Sequence, residues 1–230
     1  DIRIFPKYDD AEIIKVGNPA LRPQFTNTFE LGYKTSWDNG YVYLANYYKF
    51  AEGTITRIAT TVPGSNLIYA TTQNAGKSSN FGVELTYNHD IFKWYSFNLS
   101  TNVYRNQIDA FTVENLYPEP HTFSAEEQVV ISGNVKWNNK FRTESGLEGQ
   151  LTVVYLAKDI IPQGEIAPRF SVDIGIKKLI QKGKGELFLN ATDLFNTLVI
   201  KKEIQGTDFN YTSADYYETQ VIRAGYSFKF

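Results

Sequence analysis

The sequence predicts an all-β chain, a transmembrane antiparallel up-and-down β-barrel of which about nine strands are legible. Three observations predict it. Apolar and polar residues alternate with period two through most of the chain, connections alternate between short and long, and charge within the strands keeps to one face. Crossing by helix is not available, because the longest apolar runs, such as 153–157, fall far short of the ~20 residues a transmembrane helix needs.

Residues i and i+2 of a strand share a face. Near the start, Phe25, Phe29, Leu31, Tyr33 and Trp37 oppose Thr26, Thr28, Glu30, Lys34 and Ser36. Phe81, Val83, Leu85 and Tyr87 then oppose Gly82, Glu84, Thr86 and Asn88, and Phe97, Leu99 and Val103 oppose Asn98, Ser100 and Asn102. Further on, Val129, Ile131, Val135 and Trp137 face away from Ser132, Asn134 and Lys136. Leu147, Gly149, Leu151, Val153 and Tyr155 do the same against Glu148, Gln150 and Thr152. The clearest run sets Phe170, Val172, Ile174 and Ile176 against Arg169, Ser171, Asp173, Gly175 and Lys177. The last sets Ile222, Ala224, Tyr226, Phe228 and Phe230 against Val221, Arg223, Gly225, Ser227 and Lys229. Residues 25–230 therefore read as the barrel segment, and 1–24 as an extracellular loop or strand end leading into it.

Short turns fall at 38–40, 92–94, 143–146 and 181–185, and longer polar loops bearing Pro and Gly at about 59–73, 111–127, 159–165 and 202–210. A transmembrane barrel has short periplasmic turns and long extracellular loops, so this sorting is what it requires. A soluble sheet has no reason to sort its loops, although bulk water can wet a polar face equally well.

Charge separates the two readings further. Glu30, Lys34, Glu84, Lys136, Glu148, Arg169, Asp173, Lys177 and Arg223 lie within strands on the polar side, while the opposite faces stay almost free of charge. A charge at mid-depth on a lipid-facing surface costs about 2–4 kcal/mol. The nine charged residues are accordingly expected to face the lumen.

Composition agrees. The 16 Tyr, 16 Phe and 3 Trp are spread along the chain, as aromatic anchors at two interfaces require. A net charge of −2 with interspersed signs lacks the basic footprint of a nucleic-acid binder, and the absence of cysteine removes disulfides and thiolate metal sites. His89 and His121 have no His or Cys partner at ligand spacing, and no nucleophile-elbow, P-loop or zincin motif occurs, so neither a cofactor nor enzymatic activity is expected. Binding candidates are the loop aromatics Tyr117, His121, Phe123 and Tyr211, whose rings suit sugars, peptides or chelates. Tyr216 and Tyr217 read as part of an outer aromatic girdle.

The segment Gly17-Asn18-Pro19-Ala20-Leu21-Arg22-Pro23-Gln24, continuing through Glu30-Leu31-Gly32-Tyr33, resembles a signature of TonB-dependent outer-membrane receptors, particularly the Bacteroidota-type outer-membrane β-barrel family. Asn74-Ala75-Gly76-Lys77 before Gly82-Val83-Glu84-Leu85 and Asp193-Leu194-Phe195-Asn196 are similar to further motifs of that family. The terminal Tyr226, Phe228 and Phe230 resemble its aromatic assembly signal. Gln24 departs from the usual Glu. The resemblance implies the C-terminal part of a barrel of about 22 strands, multi-pass in the cell outer membrane of a Gram-negative bacterium, importing a nutrient too large for porins. Its implied partners are outer-membrane lipid, the barrel-assembly machinery, TonB through a part upstream, and a surface lipoprotein lid. Two alternatives stand beside it, a structural or assembly barrel subunit that transports nothing and a soluble β-sandwich binding module. Recovery of a plug upstream separates the barrel readings, and a need for detergent on extraction separates the soluble one.

Overall fold

The computed structural model describes residues 6–8, 13–61, 67–116 and 119–230. Among these the chain is strand and turn, with one 3-10 turn at Gln181–Gly183 and no α-helix. In chain order the strands are β1 (Lys7–Tyr8), β2 (Ile13–Val16), β3 (Phe25–Trp37), β4 (Gly40–Glu52), β5 (Ile55–Thr61), β6 (Ile68–Asn74), β7 (Lys77–Phe92), β8 (Tyr95–Ile108), β9 (Phe111–Asn115) and β10 (His121–Ala125). They continue as β11 (Gln128–Arg142), β12 (Leu147–Leu156), β13 (Asp159–Ile161), β14 (Gly164–Ile166), β15 (Arg169–Ile180), β16 (Gly185–Thr192), β17 (Ile200–Gln205), β18 (Asn210–Asp215) and β19 (Val221–Phe228).

Nine of them form one antiparallel sheet in the order β3-β4-β7-β8-β11-β12-β15-β16-β19, a meander in which every strand neighbours its predecessor. Register carries the alternation from strand to strand. One row runs Tyr33, Leu44, Leu85, Thr101, Val135, Tyr155, Phe170. The adjacent row on the opposite face runs Lys34, Tyr43, Thr86, Ser100, Lys136, Val154, Ser171. β3 and β19 are the edges of this sheet and do not pair with each other. Seven strands from β3 to β15 have 10 to 16 residues, enough to cross a hydrocarbon core that a tilted strand spans in about 9–11.

All short turns lie at one end of the sheet, and all long connections at the other. Those long connections correct the expectation of irregular loops, because each is itself built of strands. β1, β2, β6 and β5 form a sheet in which β2 runs parallel to β6, β9 and β10 form a hairpin, and β13, β14, β17 and β18 form a third sheet shared by two successive connections. Residues 1–24 likewise contribute β1 and β2 to this layer. Pro118 and Pro120 read as loop, yet the preceding Phe111 and Val113 are buried while Thr112 and Glu114 are exposed. The chain's hydrophobic cluster sits here, joining Ile58, Ala75, Ile108, Phe111, Val113 and Phe123. The sheet's apolar face, by contrast, is bare: Phe29 is 68 % exposed, Leu31 78 %, Ile131 76 % and Ile222 69 %.

Candidate functional site: a polar wall beneath a strand-built collar

The residues expected to face the lumen, Glu30, Lys34, Glu84, Lys136, Glu148, Arg169, Asp173, Lys177 and Arg223, share one face of the nine-stranded sheet by register. Hydrogen bonds between strands cover that face. Tyr43 donates its hydroxyl to Glu30 at 2.7 Å, Tyr47 donates to Asn102 at 3.2 Å, and Thr152 donates to Asn138 at 3.0 Å. Lys34 Nζ sits 4.6 Å from the centroid of the Tyr41 ring. Toward the turn end, Arg142, Glu148, Lys177 and Glu186 form an ion-pair ladder across β11, β12, β15 and β16, at 3.0, 3.2 and 3.8 Å. Each exposed pair stabilises little. Their effect is on register, since a one-residue slip of any strand would carry its charge to the apolar side. A trough of about 1190 Å³ opens beside the ladder, lined in part by Lys140, Tyr95 and Phe188.

Glycines set the height of this wall. A Cβ on Gly32 would stand 2.6 Å from the Tyr43 hydroxyl oxygen, and one on Gly82 2.5 Å from the Tyr47 ring. Both tyrosines therefore lie along the sheet over a neighbouring glycine, and the wall stays low where a side chain would stand into the space beside it.

The collar is tied to the wall by side chains that imitate backbone. Asn74 accepts from Arg22 N at 2.8 Å and donates to Arg22 O and Gly53 O at 2.9 Å each, so the two recognised motifs at 17–24 and 74–77 meet at one amide. Gln24 accepts from Ile55 N at 2.9 Å, a bond for which an amide oxygen serves as well as a carboxylate. Gln163 is buried and pairs with both backbone groups of Ala59, at 2.6 and 2.8 Å. Asp159 accepts from Tyr104 at 2.6 Å and from Asn106 at 2.8 Å, which holds β13 against the wall.

Asp193, in the Asp-Leu-Phe-Asn motif, is 1 % exposed and takes up a left-handed conformation with φ of 46°. Its carboxylate accepts from Thr197 N at 2.9 Å, Leu198 N at 3.1 Å and the Thr219 hydroxyl at 2.7 Å. Burial pushes its carboxyl up, and the hydrogen bonds more than offset this and hold it below the ordinary carboxylate value. The motif is thus a structural knot where the chain leaves β16.

Of the four loop aromatics, Phe123 is not a surface ring. It is 7 % exposed and packs on Phe111 at 6.1 Å, because β10 turns that side into the collar's core. Tyr117 lies outside the described residues. His121 is partly buried, contacting Asn115 and the Glu119 carbonyl at 3.1 and 2.8 Å, and Tyr211 stacks on Phe209 at 6.0 Å. The alternation through 111–115 was a legible signal for the buried hairpin, whereas nothing local marks Asn74, Gln163 or Asp159 as ties. Tyr226 and Phe228 lie on the apolar face beside the turn before β16, and Phe230 follows at 5.5 Å from Phe228.

The family model of the outer membrane protein beta-barrel family matches residues 1–230. Comparison with curated proteins finds no match.

Proposed function

Because the chain belongs to the outer membrane protein β-barrel family, we propose that it is the C-terminal part of the wall of a TonB-dependent transporter. In this reading the apolar face meets outer-membrane lipid, the polar face lines the lumen, the short turns are periplasmic and the collar is extracellular. The transporter imports a nutrient too large for porins, drawing on TonB through sequence upstream. The barrel-assembly machinery inserts it, and a surface lipoprotein is its lid.

The observation that carries the reading is the chemical split of one continuous register: hydrocarbon can accept the bare aromatic and aliphatic face, and only water can accept the other. The Gly-Asn-Pro, Asn-Ala-Gly-Lys and Asp-Leu-Phe-Asn motifs support the receptor assignment, since each anchors the collar that covers the wall. In the full-length parent, which this chain supplies with no cysteine of its own, Ile176→Cys is expected to resist an impermeant thiol reagent and Asp173→Cys to react. Uptake by the producing cell is expected to vanish when TonB is deleted. Reversal of the labelling pattern overturns the orientation, and TonB-independent uptake overturns the transport assignment.

A further inference from the structure

Arg105 departs from the separation of charge between the two faces of the sheet. By register it stands on the apolar face near the collar end of β8, between Phe81 of β7 and Ile131 of β11, which are 56 % and 76 % exposed. The lysines on that face of the strands are occupied, Lys77 by Glu52 at 2.9 Å and Lys178 by the Ser145 carbonyl at 2.6 Å. Arg105 is exposed, and among the described residues no carboxylate pairs with it. Its Nη1 donates to Gln107 Oε1 at 2.6 Å, so the guanidinium reaches along β8 toward the collar with its other N–H groups open. Gln107 is held in turn by two carboxylates, its Nε2 donating to Asp109 Oδ1 and Glu127 Oε2 at 3.0 Å each. Asp109 follows β8 and Glu127 precedes β11, both on the collar side of Arg105, and neither forms an ion pair among the described residues. A cation, an amide and two anions therefore follow one another outward along the apolar face.

We propose that this column binds the headgroup of a phosphoethanolamine lipid in the leaflet on the collar side, Arg105 taking the phosphate and Asp109 and Glu127 the primary ammonium. The proposal rests on the orientation given above. In such a lipid the phosphate joins the headgroup to the acyl-bearing part and the ammonium lies beyond it, which is the order of the charges on the protein. The arginine stem lies along apolar surface while its head reaches the phosphate, and the guanidinium fork suits phosphate oxygens. The acyl chains then descend over Phe81, Val103 and Ile131, all exposed. A purely anionic headgroup would meet the guanidinium and be repelled by the two carboxylates. A choline headgroup carries no N–H for those carboxylates to accept.

The test uses the full-length parent in nanodiscs of phosphatidylcholine with equal minor shares of phosphatidylethanolamine and phosphatidylglycerol, reading the lipids retained around the protein. Quenching of a fluorophore on Ile176→Cys by brominated lipid runs in parallel. Wild type is expected to enrich phosphatidylethanolamine, and Arg105→Gln to lose about fivefold of that preference. Asp109→Asn/Glu127→Gln is expected to enrich phosphatidylglycerol instead, because the guanidinium remains and the repulsion is gone. If Arg105→Gln fails to assemble, this reversal alone decides. Glycerophosphoethanolamine, which has no acyl chains, is expected not to displace the lipid at equal concentration, and displacement would overturn the membrane lipid as the ligand. An unchanged preference in either variant, or phosphatidylglycerol enriched over phosphatidylethanolamine by wild type, overturns the proposal. Quenching without lipid preference in wild type also overturns it while leaving the barrel orientation intact, whereas absent quenching at position 176 overturns the orientation and the proposal together.

Discussion

Gly82 and Tyr47 act as one unit, because the ring occupies the volume that a side chain at 82 would need. Gly82→Val is expected to lift Tyr47 off the sheet and break its bond to Asn102, costing about 1–3 kcal/mol by overpacking. Denaturant unfolding of the detergent-solubilised parent measures this, with Val83→Ile on the apolar face as the control. Equal midpoints for the two variants would show that the ring does not depend on the glycine. Asp193 provides a pH-dependent counterpart. Its folded carboxyl value lies below the ordinary one, so its contribution is fully present above the ordinary carboxylate range and is lost as pH falls through the folded value. Wild type is expected to loosen around 193–198 in that acidic window, read by hydrogen exchange. Asp193→Ala is expected to lose about 1–3 kcal/mol at neutral pH, since Thr197 N and Leu198 N are left without acceptors, and to show no such acid transition at this site.

At the scale of elements, the collar is a second layer whose strands pair mainly with one another. Gln163 joins β5 to the connection between β13 and β14 through two hydrogen bonds on one amide. Gln163→Leu fills the same volume and satisfies neither backbone group, so a loss of about 1–3 kcal/mol is expected, confined to the collar. Faster amide exchange across 55–61, with unchanged protection in β7 and β8, is the signature. Exchange that rises equally in the wall would mean that the two layers unfold as one. The last strand bears on assembly instead. Burial of one ring is worth about 1.5–3 kcal/mol, and a charge near the interface costs about 0–1, too little to unfold a formed barrel. Phe230→Glu is therefore expected to slow insertion of the full-length parent while leaving the inserted form stable. Pulse-labelled outer-membrane fractions check it, and normal insertion kinetics would reduce Phe230 to ordinary strand filler.

At the scale of the molecule, the sheet has two open edges. β3 presents 13 residues and β19 presents 8, and a backbone edge in hydrocarbon leaves polar groups unpaired at several kcal/mol each. Each edge is expected to pair with strands from outside residues 25–230. Disulfide trapping in the parent, with cysteines at Leu31 and Ala224, is expected to give no crosslink between these two positions. A crosslink between them would mean that the nine strands close on themselves as a small barrel.

The sequence by itself determined the strands, their two faces, and the sorting of short turns from long connections. These depend on residues two apart and on local turn chemistry, and charge cannot change faces without a register slip. Only the tertiary structure decided that the long connections become a collar of paired strands. Ala59 and Gln163 stand 104 residues apart, and no local pattern announces that an amide at one position will complete the backbone pairing at the other. The same reason moved Phe123 from surface to core. An aromatic ring shortly after Pro118 and Pro120 reads as exposed loop until the partner strand that covers it, β9, is in place.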